Sequence, residues 1–125
     1  MFQASHNRAY QDFLTLLTEF EHYLVQIDAQ PEKTAVNRKF QQISRCFKEH
    51  IVKIDSQDVA PEILGRWQSV QTEIKREFQL LSVDILFLAS ARQLETRKQR
   101  IGKIRQHLSK LSDYCRIMLN DSEPQ

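Results

Sequence analysis

From Tyr10 onward the apolar residues return every third or fourth position, at Tyr10, Phe13, Leu14, Leu17, Phe20, Leu24 and Ile27. That period lines one side of a helix, and it predicts a first helix over residues 7–28. Pro31 disfavours helical geometry in the residue before it but suits a first turn, so a second helix is expected over 32–55. Its inner face is Val36, Phe40, Ile43, Phe47, Ile51 and Ile54, at helical steps. Asp55-Ser56-Gln57-Asp58 offers capping side chains, and Ser56 or Asp58 is expected to accept the free amides of a third helix spanning 59–90, with Pro61 near its start.

In the C-terminal half the pattern tightens to heptads. Trp67, Ile74, Leu81 and Leu88 hold one position and Phe78 and Ile85 the next, with Gln71 and Arg92 at the ends of that second series. A fourth helix, over 94–119, repeats the arrangement with Leu94, Ile101, Leu108 and Cys115 on one line and Ile104, Leu111 and Met118 on the other. Such alternating spacing lets side chains insert between those of a neighbouring helix. Neither glycine nor proline separates the two helices, yet one helix from Pro61 to Leu119 would run roughly 90 Å and could not be covered by so short a chain. The reversal is therefore placed between Ser90 and Thr96, either of which can cap. The expected fold is all-α: a single-domain antiparallel four-helix bundle over residues 1–125, with a frayed polar tail at 120–125. Its core is Phe13, Leu17, Phe20, Phe40, Phe47, Trp67, Ile74, Phe78, Leu81, Ile85, Leu88, Ile101, Ile104, Leu108, Leu111 and Cys115.

Composition agrees: two glycines and three prolines in 125 residues leave room for few turns and hence for long elements. The net charge of +2 is too mild to name an anionic partner, but its distribution is uneven. Residues 1–28 carry Asp12, Glu19, Glu21 and Asp28 against Arg8, whereas Arg92 to Lys110 holds seven basic residues and only Glu95 as an acid. Either the acidic front answers the basic back across neighbouring helices, or the basic helix meets an acidic partner. No apolar run reaches the ~18 residues of a spanning helix or resembles a signal peptide, and Cys46 and Cys115 lack CxxC spacing. A cytoplasmic protein that does not enter a membrane is expected.

Candidate chemistry is sparse. Glu19 and His22 have the spacing of a di-iron ligand pair, but a second such pair is missing, since Glu49 and His50 are adjacent and diverge on a helix. Cys46 and His50 could share a metal with His22 or His107, although a small apolar thiol in a helical stripe is more often core filling. Phosphate loops and serine elbows are absent, so neither a catalytic site nor a cofactor is expected. Arg97, Lys98, Arg100, Lys103, Arg105 and Lys110 occupy polar positions of the fourth helix. They form either a solvated face or a docking face for an acidic protein, and a nucleic-acid surface is the weaker alternative because no aromatics are interleaved. Trp67 could anchor a partner, but its heptad mates place it in the core. Leu86, Phe87, Ile117 and Leu119 lie off the seams and either cover other helices or support a homodimer.

The strings Arg66-Trp67-Gln68-Ser69-Val70-Gln71-Thr72-Glu73-Ile74 and Leu80-Leu81-Ser82-Val83-Asp84-Ile85-Leu86-Phe87-Leu88, with Ser90-Ala91-Arg92 and Asp113-Tyr114-Cys115, resemble the PatD family of cyanobacterial heterocyst-frequency regulators. The likeness covers the C-terminal half; the N-terminal half shares only helical character. It implies a small cytoplasmic modulator without catalytic residues, linked to heterocyst patterning and to the tubulin-like division protein FtsZ. No family motif maps the FtsZ contact onto positions of this chain.

Overall fold

The computed structural model describes residues 4–27 and 32–122. Four α-helices carry the fold: α1 (Ala4–Gln26), α2 (Lys33–Cys46), α3 (Leu64–Ser90) and α4 (Leu94–Ser122). Helix α1 packs along both α2 and α4, and α4 packs along α3. Paired side chains fix the directions. Phe13 meets Phe47 while Tyr23 lies under Lys39, and Glu77 meets Lys110 while Asp84 meets Arg100, so in each pair one number rises as the other falls. The bundle is antiparallel, as the short connections require.

Several boundaries differ from the expected ones. Helix α2 stops at Cys46 and gives way to a π-helical turn, Phe47–Ile51, closed by the Val52 amide on the Phe47 carbonyl at 2.9 Å. The wider turn leaves Phe47 and Ile51 both buried, so the apolar stripe continues although the α-helix does not. Two 3-10 turns, Ser56–Asp58 and Pro61–Ile63, then precede α3. The expected cap of the third helix by Ser56 or Asp58 is not found: α3 starts at Leu64 without a side-chain cap, and Asp55 instead caps the first 3-10 turn by accepting the Gln57 amide at 3.0 Å. The reversal falls at 91–93, inside the expected interval. Ser90 closes α3 by donating to the Phe87 carbonyl at 3.2 Å, and the Gln93 carbonyl receives the Arg97 amide at 3.0 Å, which leaves Thr96 inside the first turn of α4. Part of the expected frayed tail, residues 120–122, continues α4, while 123–125 lie outside the described residues, as does the expected end of the first helix at Asp28.

The predicted seams converge on one core. Phe13, Leu17, Phe20, Ile74, Leu81, Ile104, Leu108, Leu111 and Cys115 are 0% exposed, and Phe47, Trp67, Phe78, Ile85, Leu88 and Ile101 are buried with them. Two expectations need correction. Leu94 stands past the end of α3 and is exposed, so its seam begins at Ile101. Phe40 is only half-buried, because it sits at the open α2/α3 edge. There the backbones approach less closely than at the other three joints, and rings fill the gap: Phe78 stacks on Phe47 at 4.1 Å and on Phe40 at 5.8 Å between centroids. Beyond the rings lies a cleft of about 40 Å³ between Val36, Ile85, Leu88 and Arg97, room for little more than water.

One polar network crosses this core. The Trp67 indole N–H donates to the Tyr10 hydroxyl at 3.1 Å, Tyr10 donates to Gln71 Oε1 at 2.9 Å, and Gln71 Nε2 donates to the Ile51 carbonyl at 2.8 Å. Gln71 thus has a reason to hold a seam position: it ties α1 and α3 to the Ile51 carbonyl at the end of the π turn, which also accepts the Ile54 amide at 3.3 Å. Burial pushes the Tyr10 hydroxyl far above its ordinary pKa, only partly offset by the Trp67 hydrogen bond, so the link stays uncharged. Trp67 is a core residue with a polar handle, and the partner-anchor reading does not apply to it.

Candidate functional site

The flanks of the α3/α4 seam carry the densest polar chemistry among the described residues. Glu77 and Asp84 are seven residues apart and each precedes a seam residue, Phe78 or Ile85; Arg100 and His107 are also seven apart and precede Ile101 and Leu108. Antiparallel packing sets the two pairs against each other, as seam-flanking charges do in coiled coils. His107 Nδ1 lies 2.8 Å from Glu77 Oε2, and its Nε2 lies 2.8 Å from Asp84 Oδ2. Arg100 donates to Asp84 Oδ1 at 3.0 Å, and Lys110 approaches Glu77 Oε1 at 3.7 Å. Glu77 and Asp84 are only 4% and 7% exposed. The two buried acids thus have the His107 ring between them and the basic side chains of Arg100 and Lys110 on their outer sides.

The sequence reading singled out the bases of α4 but missed the acids that organise them. The missed signal was the pair of seven-residue spacings beside the seams. The ion pairs that bridge helices among the described residues join α3 to α4, so α3 rather than acidic α1 answers the basic helix.

The six predicted basic residues do not form one face. Arg97 shares the heptad line of Ile104 and Leu111, is half-buried against the α2/α3 cleft, and has no hydrogen-bond partner at Nε. Lys98 and Arg105 lie on one line of α4, and Lys103 and Lys110 on another about 120–160° away at ~100° per residue. The structure therefore brings Arg100, Lys103 and Lys110 together beside α3 and separates Arg97, Lys98 and Arg105 from them.

Next to this cluster α3 exposes an apolar stripe. Leu80, Val83 and Phe87 recur at helical steps and are 40%, 45% and 48% exposed, with Leu86 beside them at 70%. Leu80 and Val83 form one bank of a groove of about 330 Å³ whose other bank is Lys103, Gln106 and His107, with Asp84 in its lining. The Arg100 guanidinium stacks 4.4 Å from the Phe87 ring centroid. Of the four candidate dimer residues, Leu86 and Phe87 are exposed here, whereas Ile117 and Leu119 are half-buried and Leu119 packs on the core.

The metal candidates are placed apart. Glu19 and His22 are exposed on α1, where His22 Nε2 lies 3.1 Å from the Gln26 amide nitrogen. Cys46 and His50 line a different groove with Asp12 and Glu49, and His107 is held in the clamp. Among the described residues no three His, Cys, Asp or Glu side chains are grouped to hold an ion, and no helix is long and apolar enough to cross a membrane. Both thiols are buried. Burial first, then Asp12 and Glu49, pushes the Cys46 thiol up to about 11, and burial raises Cys115 further. At neutral pH iodoacetamide is expected to leave both cysteines unlabelled in the native chain and to label both in urea, read by intact-mass spectrometry; native labelling of Cys46 would show an accessible thiolate. Because the Cys46 pKa rises on folding, its contribution to stability is full below the ordinary thiol value of 9.0 and is lost as pH rises through about 11. Compared with protein-family models, curated proteins and solved structures, the chain matches none.

Proposed function

We propose that this chain is a non-catalytic, cytoplasmic protein-binding regulator of heterocyst frequency and cell division, with FtsZ as its partner and FtsZ assembly as the property it changes. FtsZ and heterocyst control come from the resemblance of the 66–74 and 80–88 strings to the PatD family. One physical observation supports binding as the activity: on the α3/α4 face the buried polar groups satisfy one another, while apolar side chains and lysines on the same face remain accessible. Groups tied up in a structural clamp are poorly suited to chemistry, and an accessible apolar stripe with a charged rim suits a protein partner. A regulator of this kind acts by holding one assembly state more tightly than another. Nucleic acid is disfavoured because the bases of α4 diverge around the helix instead of tracking a phosphate backbone.

The test is co-sedimentation with purified FtsZ under polymerising conditions. The chain is expected in the pellet only when FtsZ is present, with a changed amount of polymer. A chain that stays in the supernatant and leaves polymer mass unaltered overturns FtsZ as the partner.

A further inference from the structure

We infer that the α3/α4 groove is a docking site for an acidic amphipathic helix. The inference rests on the protein-binding reading and adds the chemistry of the partner segment. Most of the exposed large hydrophobic residues described lie between Leu80 and Leu94, so the apolar surface is concentrated on one end of one helix pair. Leu80, Val83 and Phe87 step by three and four, the spacing that receives helical anchors at i, i+3 or i+4, and i+7. Lys103 and Lys110 stand along the α4 bank, Arg100 caps Phe87, and Arg76 lies one turn before Leu80 on α3. Of the acids near this face, Glu77 and Asp84 are buried beneath and matched by His107, Arg100 and Lys110, and Glu73, on the heptad line of Leu80 and Phe87, lies 3.7 Å from Arg76 and offsets it. An approaching surface therefore meets an apolar stripe with a cationic rim.

That charge pattern selects the occupant. A second copy docking through the same patch would form an isologous contact, bringing two cationic rims to one desolvated boundary, where like charges repel. A nucleic acid would pair the cations but leave Leu80, Val83 and Leu86 without apolar partners. A helix with aliphatic or aromatic anchors on one side and carboxylates flanking them satisfies both features.

The test uses the full chain, isotopically labelled for NMR, with three probes: a synthetic helical peptide with leucines at i, i+3 and i+7 flanked by glutamates, the same peptide with lysines for glutamates, and duplex DNA. The acidic peptide is expected to shift signals of Leu80, Val83, Phe87 and Lys103, and the other two probes are expected not to. Val83→Asp and Lys103→Glu each remove an exposed group, so the fold should survive, as circular dichroism checks. Each is expected to weaken the peptide by about tenfold or more, while Val25→Asp on α1 leaves it unchanged. Shifts on another face, equal binding of the lysine peptide, displacement by DNA, or concentration-dependent dimerisation through the same residues overturns the inference. Repeating the FtsZ sedimentation with Val83→Asp separates the two readings. Peptide binding without FtsZ binding leaves the groove standing and removes FtsZ; FtsZ binding with no peptide at the groove does the reverse.

Discussion

Replacing His107 with alanine is expected to destabilise the fold by about 3–5 kcal/mol, a loss larger than the packing of a half-buried ring would give. His107 supplies a hydrogen bond to each of Glu77 and Asp84 at 2.8 Å, and both acids are buried. Without the ring the two carboxylates face an empty space and each other. Arg100 still reaches Asp84 at 3.0 Å, but Lys110 lies 3.7 Å from Glu77 and is itself mostly exposed, so Glu77 loses its better partner. Urea denaturation measures the loss. A companion variant separates charge from packing: with Glu77→Leu and Asp84→Leu added to His107→Leu, most of the stability should return, because apolar replacement of a whole buried ionic cluster is often neutral. A loss under about 1 kcal/mol for His107→Ala would show that solvent reaches the acids and that the clamp is a surface feature.

The clamp was within reach of the sequence, and its physical cause explains why it was passed over. Glu77, Asp84, Arg100 and His107 look like ordinary polar positions when each helix is read alone, since a single stripe separates only apolar from polar. Their significance appears when two antiparallel helices are laid together and the positions flanking one seam are matched against those flanking the other. The basic residues suffered the converse error. A list of positive charges on one helix carries no angle, and Lys98 and Lys103 diverge once ~100° per residue is applied. Arg97 was readable by the same arithmetic, lying seven residues before Ile104.

Core and topology were more legible because burial acts on periodicity itself. Ile74, Leu81, Ile104 and Leu108 could hardly lie elsewhere once their helices formed. Even the reversal without glycine or proline was found, since the alternative left too much apolar surface uncovered. The end of α2 was not legible: Phe47 to Ile51 keep the apolar spacing, and only three-dimensional packing on α1 and α3 decides between an α and a π turn. The cap expected for the third helix from Ser56 or Asp58 did not form because two 3-10 turns stand before α3, and Asp55 caps the first of them. Which of several adjacent side chains captures an amide depends on local backbone angles that composition does not reveal.

Phe78→Ala should then act unequally across the bundle. Its ring is buried between Phe47 at 4.1 Å and Phe40 at 5.8 Å, nearly parallel to both. Truncation is expected to lower overall stability by about 3–5 kcal/mol, through lost burial and the cavity left behind. The other three helix joints rest on closer backbone approach, whereas α2 meets α3 through the Phe40 ring and the π turn after it meets α3 through Phe47 and through Gln71 on the Ile51 carbonyl. Removing the middle ring should therefore free α2 before the rest. Hydrogen exchange at low denaturant is expected to speed up over residues 33–46 more than in α1, α3 or α4. Leu108→Ala provides the contrast, since Leu108 is buried in the centre of α4 and its loss should accelerate all four helices together. If Phe78→Ala gave the same uniform acceleration, the α2/α3 edge would be as firmly held as the other joints, and the aromatic stack would be filling rather than fastening it.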